Sequence, residues 1–311
     1  MIKQKKKFLL IIVIISIIVL FIAIKLFDIF FQKKFGLGTP IIYENSRIFG
    51  YKIKPGQNIK RLGNNIIINN LGMRSTQNWT NNNNKKKIIF FGDSVTYGGS
   101  IVSNEDLFSE KTCDKLNKKD NNFLCGNLSV NGYSLFSIIR SIKYKNFNNE
   151  NLIVVTIIAN NFPRMFHNPI SQPFWTKEIK NFLPAFTEIF FIYFDKFRDK
   201  TKYNLGNEKI LKKIDIKYYS DLVDELKDVL LKTNKPYIIL YSPSINEIED
   251  NENNDFFKKL LRDNLKNFYD LTEIKFKIKK HLYADNIHLN KLGHEIYSRY
   301  IFELISENYL N

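Results

Sequence analysis

A chain of 311 residues with ordinary apolar content and many aromatics, 27 Phe and 16 Tyr, has the composition of a folded protein and not of a disordered one. Its formal net charge of +16 comes mostly from Lys scattered through an Asn- and Ile-rich background. No RNP, zinc-finger or helix-turn-helix pattern accompanies that charge, which argues against nucleic acid as a partner and leaves an anionic membrane surface or an acidic polymer.

The N-terminus reads MIKQKKK and then an unbroken apolar run from Phe8 to Ile24. With Lys25 to Phe31, whose ends can snorkel, residues 8–31 are long enough to cross a hydrocarbon core of about 30 Å. A cleavable signal peptide would have a shorter apolar region and a small-residue cleavage site, and neither occurs. Lys3, Lys5, Lys6 and Lys7 precede the run, and Lys33 and Lys34 follow it. The bias keeps residues 1–7 in the cytoplasm. The expectation is a single-pass protein of the cytoplasmic membrane, with the rest of the chain outside the cytoplasm.

Residues 32–85 read as an irregular extension and linker. FGLGTP and KPGQN supply turn residues, IIINNLGMRS is a short strand candidate followed by a turn, and QNWTNNNNKKK is a polar linker. From residue 86 the pattern becomes regular. Strands are expected at Lys87 to Phe91, Phe123 to Val130, Leu152 to Ile158 and Pro236 to Tyr241. Helices are expected at Asp106 to Leu116, Ser134 to Tyr144, Tyr219 to Leu231, Asp255 to Phe268 and Leu289 to Tyr309. LIVVTII is β-branched and fully apolar, as in a parallel strand covered on both faces. Strands alternating with helices predict an α/β fold of three layers around a central parallel sheet. Residues 160–211, with four prolines and the run FTEIFFIYFDKF, break the alternation. They read as an insertion packed on the core, or as a cap over the site or a surface against the membrane. Cys113 and Cys125 flank the polar loop of KTCDKLNKKDNNFLC. A disulfide and two unpaired thiols both fit outside the cytoplasm.

Ser94 lies in FFGDSVTYG, directly after the first expected strand of the regular region. Open α/β sheets place their sites at the carboxyl ends of strands, and a serine at a strand-to-helix turn has an exposed hydroxyl and a free backbone N–H. Asp285 and His288 lie in LYADNIHLNKLGHEI, just before the last helix. A serine nucleophile needs an imidazole base, and the base needs a carboxylate to set its tautomer, so D-x-x-H supplies both from one short loop. Of the remaining histidines, His294 falls at helical spacing and reads as structural. His281 and His167 have no carboxylate at suitable spacing. No G-x-G-x-x-G, P-loop or HExxH pattern occurs, so no cofactor and no metal is expected.

With these residues in place the chain resembles the SGNH or GDSL hydrolase family, and the resemblance covers about residues 86–311. The first block of that family is similar to Gly92, Asp93, Ser94, Thr96 and Gly98. The second, an Asn with a Gly five residues on, resembles Asn127 and Gly132. The third, G-x-N-D, resembles Ile158 to Asn161, with Ile158 in place of the Gly and Asn161 in place of the Asp. The last, D-x-x-H, matches Asp285 and His288. GYKIKPGQ and INNLGMR are similar to the segment that precedes the catalytic domain in many membrane-anchored bacterial members. The resemblance implies a flavodoxin-like SGNH fold after one transmembrane helix, a triad of Ser94, Asp285 and His288, and an oxyanion hole from the Ser94 N–H, the Gly132 N–H and the Asn160 side chain. It implies an esterase acting on acyl, above all O-acetyl, groups of envelope carbohydrate or lipid. An O-acyltransferase with the same triad, modifying an exopolysaccharide, and a non-catalytic polymer-binding scaffold are the alternatives.

Overall fold

The computed structural model describes residues 2–79, 84–120, 122–147, 150–164, 184–190, 193, 216–249, 254–273 and 279–309. The chain begins with helix α1, Ile2–Phe35. Its residues from Gln4 to Phe27 are exposed on every side, and α1 is long and apolar enough to cross a membrane. At 1.5 Å per residue its 34 residues are longer than a core of roughly 30 Å requires. Its last turns dock on the protein. Asp28 is buried and accepts the Ala185 N–H, and Phe27 and Phe31 stack edge-on against Phe186.

The segment expected to be irregular is instead two antiparallel hairpins, β1 (Tyr43–Ser46) with β2 (Gly50–Ile53) and β3 (Gln57–Arg61) with β4 (Asn64–Ile68). The second turns at Leu62 and Gly63, both at positive φ, 48° and 86°. A leucine there gives none of the Asn-Gly or Asp-Gly signal by which such a turn is read, which is why the hairpin is hidden in the sequence. Tyr51, Ile53, Ile66, Ile68, Met73 and Trp79 are all buried, so this segment belongs to the core.

The main sheet has five parallel strands: β5 (Lys86–Phe91), β6 (Phe123–Asn127), β7 (Glu150–Ile157), β8 (Tyr237–Tyr241) and β9 (Phe268–Asp270), in the order β6-β5-β7-β8-β9. Alternate side chains go to opposite faces. Ile89, Phe91, Val155, Ile157, Ile239 and Tyr241 pack with α4 (Leu135–Lys143) and α5 (Ile216–Lys232). Ile88, Phe90, Val154, Ile238 and Leu240 pack with α3 (Phe108–Asn117) and the C-terminal helix Lys291–Asn308. The expected three layers are therefore present, with helices on both faces. Strand β9 replaces the end of the helix expected over Asp255 to Phe268, which stops at Asn264.

The edge strand β6 is covered by the segment after β4. The Arg74 N–H donates to Asn127 O at 2.8 Å and Ser75 Oγ to Cys125 O at 3.1 Å. Gly126 makes room for it, because a Cβ there would lie 2.4 Å from Met73 Sδ and 2.6 Å from the Trp79 ring. Covering an edge in this way removes a row of unpaired backbone groups. Cys113 and Cys125 are both free and buried on the other face of the sheet, where burial, and then the hydrogen bond to Cys113, pushes the Cys125 thiol up. Most of the insertion, with His167, lies outside the described residues.

Candidate active site

Strand β5 ends at Phe91, and Gly92 carries the chain into the short helix α2, Ser94–Tyr97. Only glycine fits at position 92, since a Cβ would sit 2.2 Å from Thr96 Oγ1 and 3.0 Å from Thr156 O. Asp93 caps α2 through Val95 N. Ser94 is thus the first residue of a helical turn, where a backbone N–H has no acceptor within its own helix.

Asp285 and His288 sit on a loop closed at its base by the bridge Tyr283 to Leu289 and by Ala284 N to His288 O, 2.8 Å. Asp285 Oδ1 accepts the backbone N–H groups of Ile287 and His288 at 3.0 and 2.9 Å. Asp285 Oδ2 lies 2.7 Å from His288 Nδ1, and His288 Nε2 lies 2.8 Å from Ser94 Oγ. Tyr283 anchors the loop to the end of β8 by donating its hydroxyl to Pro243 O at 2.8 Å, and Ile245 N donates to Asn286 O. The Asp285 carboxyl is held at about 2: partial burial raises it, but the His288 ring and the two loop N–H groups outweigh burial. An ionised Asp285 fixes the proton on Nδ1 and leaves Nε2 to accept from the Ser94 hydroxyl.

In fold the chain is similar to solved lipolytic proteins of the G-D-S-L family. One, from Veillonella parvula, is 16% identical over 71% of this chain and 98% of that one, with a TM-score of 0.43. The psychrotrophic esterase EstA from Pseudoalteromonas is 12% identical over 73% of this chain and all of that one, with a TM-score of 0.45. A two-domain esterase active on acetylated mannans is 11% identical over 72% of this chain and 49% of that one, with a TM-score of 0.41. No family model matches the chain, and no curated protein matches it.

Gly132 and Asn160 stand on neighbouring loops, and among the described residues no hydrogen bond joins either to Ser94. Gly132, at φ +77°, is exposed on the loop after β6, which runs beside the Ser94 turn through Val130 N to Gly92 O at 3.3 Å. Asn160 is exposed on the turn that ends β7. It shares a small crevice with Ala159, Ser244, Asn286 and Ile287, the last two from the His288 loop. Asn161, beside it, is fully buried. Its Oδ1 accepts the Ile158 N–H at 2.7 Å, and its Nδ2 donates to Asp93 Oδ2 at 3.1 Å and to Tyr133 O at 2.9 Å.

Two further groups escaped the sequence reading. Arg164 Nη1 donates to the buried Asp93 Oδ2 at 2.7 Å and to Tyr133 O at 3.2 Å. Arg74 is fully buried, stacks on the Tyr97 ring, and donates to Tyr97 O, Gly99 O and Val102 O. It thereby holds the carbonyls where α2 ends. Arg74 closes the INNLGMR motif, which by itself assigns it no partner, and Arg164 falls in no pattern that single-sequence reading recognises. His294 is buried on the C-terminal helix, where its Nδ1 accepts the Phe108 N–H at 3.2 Å, and His281 is exposed. Among the described residues no three His, Cys, Asp or Glu side chains gather as metal ligands.

Proposed function

We propose that this protein is a membrane-anchored serine ester hydrolase of the SGNH class, with Ser94 as nucleophile, His288 as general base and Asp285 as the carboxylate that orients it. The observation that carries this reading is the unbroken line Ser94 Oγ to His288 Nε2, 2.8 Å, and His288 Nδ1 to Asp285 Oδ2, 2.7 Å. Three residues separated by up to 194 positions have no packing reason to align in hydrogen-bond order at the strand ends of the sheet.

In the proposed reaction His288 takes the Ser94 proton as Oγ attacks the ester carbonyl. The carbonyl oxygen becomes an oxyanion received by the Ser94 and Gly132 N–H groups and the Asn160 carboxamide. His288 gives its proton to the departing alcohol, and an acyl-serine remains. Water then attacks the acyl carbon, His288 takes its proton and returns it to Ser94 Oγ, and the acid leaves. The substrates are O-acyl, above all O-acetyl, esters of envelope carbohydrate or lipid, reached by a domain of residues 86–311 outside the cytoplasm. The lysines in the first turns of α1, ahead of its apolar run, support that orientation.

The full-length protein in detergent, given a chromogenic acetyl ester with and without sugar acceptors, tests the reading. Hydrolysis that disappears in Ser94→Ala is the expected result. Product that forms only with an acceptor reassigns the protein to acyl transfer. No turnover and no serine labelling by a fluorophosphonate overturns catalysis altogether. Protease in spheroplasts should reach a C-terminal tag and not an N-terminal one.

A further inference from the structure

The peptide between Asn131 and Gly132 is held from one side by the segment that precedes the catalytic domain. Tyr51, on β2 and 3% exposed, donates its hydroxyl to Asn131 O at 2.6 Å. That carbonyl and the Gly132 N–H belong to one planar trans peptide, so they point in opposite directions. Fixing the carbonyl on Tyr51 therefore turns the Gly132 N–H away from the hairpin. A hydrogen bond to the carbonyl also polarises the same amide and makes its N–H a better donor.

The fit at this point is close. A Cβ on Gly132 would lie 3.0 Å from the Tyr51 hydroxyl oxygen. Around it, Asn131 Nδ2 donates to the Tyr43 hydroxyl at 3.0 Å, and the Tyr133 hydroxyl donates to Tyr51 O at 2.7 Å. The three rings pack edge to face, Tyr43 with Tyr51 at 5.8 Å and Tyr51 with Tyr133 at 5.4 Å. Burial, with Tyr133 and Tyr43 beside it, raises the Tyr51 hydroxyl well above its usual range and keeps it a donor. The loop thus takes its shape from contacts with a hairpin 80 residues earlier in the chain.

We infer that Tyr51 is a positioning residue for the Gly132 oxyanion donor, so that the β1–β2 hairpin is part of the catalytic unit and not a spacer between membrane and enzyme. This rests on the reading of Ser94 and Gly132 given above.

Tyr51→Phe tests it in the full-length protein in detergent, since the ring and its packing stay and only the hydroxyl goes. For p-nitrophenyl acetate kcat should fall by about tenfold or more, with KM within about twofold, because the lost alignment matters where charge develops on the oxygen. The inhibition constant of an alkylboronic acid, whose tetrahedral serine adduct puts an anionic oxygen in the same place, should rise by a similar factor. Tyr43→Phe, which loosens the loop only through the Asn131 side chain, should act in the same direction by about threefold. A Tyr51→Phe protein of lowered melting temperature but unchanged kcat, KM and boronate affinity has lost a merely structural bond, and overturns this inference alone. A wild-type protein without turnover overturns the catalytic reading and this inference with it.

Discussion

Arg164 Nη1 donates to Asp93 Oδ2 at 2.7 Å, and Asp93 is the residue just before Ser94. The Asp93 carboxylate is 1% exposed and also accepts from Asn161 Nδ2 and Val95 N. Breaking a buried pair by removing one partner strands the other charge, which typically costs about 3–5 kcal/mol. Arg164→Gln should destabilise the protein at the lower end of that range, near 3 kcal/mol, because two neutral donors remain on Asp93. Asp93→Asn combined with Arg164→Gln should cost less than the sum of the two single changes. Urea denaturation of the four proteins measures both quantities, and strict additivity would show that the pair is not coupled.

His288→Ala should be nearly as damaging as Ser94→Ala, and the double variant little worse, since members of a triad act as a unit. Asp285→Asn should keep more activity, because in the proposed mechanism Asp285 orients the imidazole and does not take its proton. Initial rates with the acetyl ester settle the order. Losses that simply add would argue against one shared machine.

Asn160 and Asn161 are adjacent in sequence and opposite in environment, one exposed and one fully buried. Asn160→Ala should lower kcat by roughly a hundredfold with little change in KM, as expected for the loss of one of the proposed oxyanion donors. Asn161→Ala removes bonds to Ile158, Asp93 and Tyr133 together, so its main effect should be on stability, about 2–3 kcal/mol for the buried groups left unpaired. Kinetics and thermal unfolding of both variants separate the roles, and a large kcat loss confined to Asn161→Ala would shift the donor by one residue.

His294 is held at about 3, below its usual 6.5, first by burial and then by the charges of Arg74 and Lys111. A folded-state value below the unfolded one means that the unfolded chain binds the extra proton, so stability falls as pH drops from about 6.5 towards 3. Glu110 works the other way. Burial raises it from 4.5 to about 7, and its contribution is lost as pH rises through that range. The two oppose each other between about 4.5 and 6.5, so the net loss should steepen below 4.5, where Asp285, lowered from 3.8 to about 2, adds its own share. His294→Asn should flatten the acid side of the curve, and unfolding free energies from pH 3.5 to 7 for both proteins check it. Parallel curves would rule out His294 as a source of the slope.

Much of this protein is set by local pattern. The unbroken apolar run of α1, the β-branched strand LIVVTII and the alternation of strand with helix each express a periodicity within one element, and an α/β layering follows from them. The D-x-x-H loop is local as well: Asp285 and His288 are three residues apart, and Asp285 accepts the backbone N–H groups of Ile287 and His288. The rest depends on residues far apart in the chain. Strand β9 is three residues long and leaves no readable period. The hairpin at Leu62 and Gly63 lacks the usual turn residues, and its strands are held by burial against the sheet. Tyr51 on Asn131, Arg74 on Tyr97 at the end of α2 and Arg164 on Asp93 are side-chain bonds across 80, 23 and 71 positions. A side chain meeting a backbone carbonyl or a lone carboxylate at such separations has no spacing rule to betray it. Only the packing of the completed sheet and its covering hairpins brings those partners within reach, and so tertiary structure alone decides what supports the Ser94 turn and the Gly132 loop.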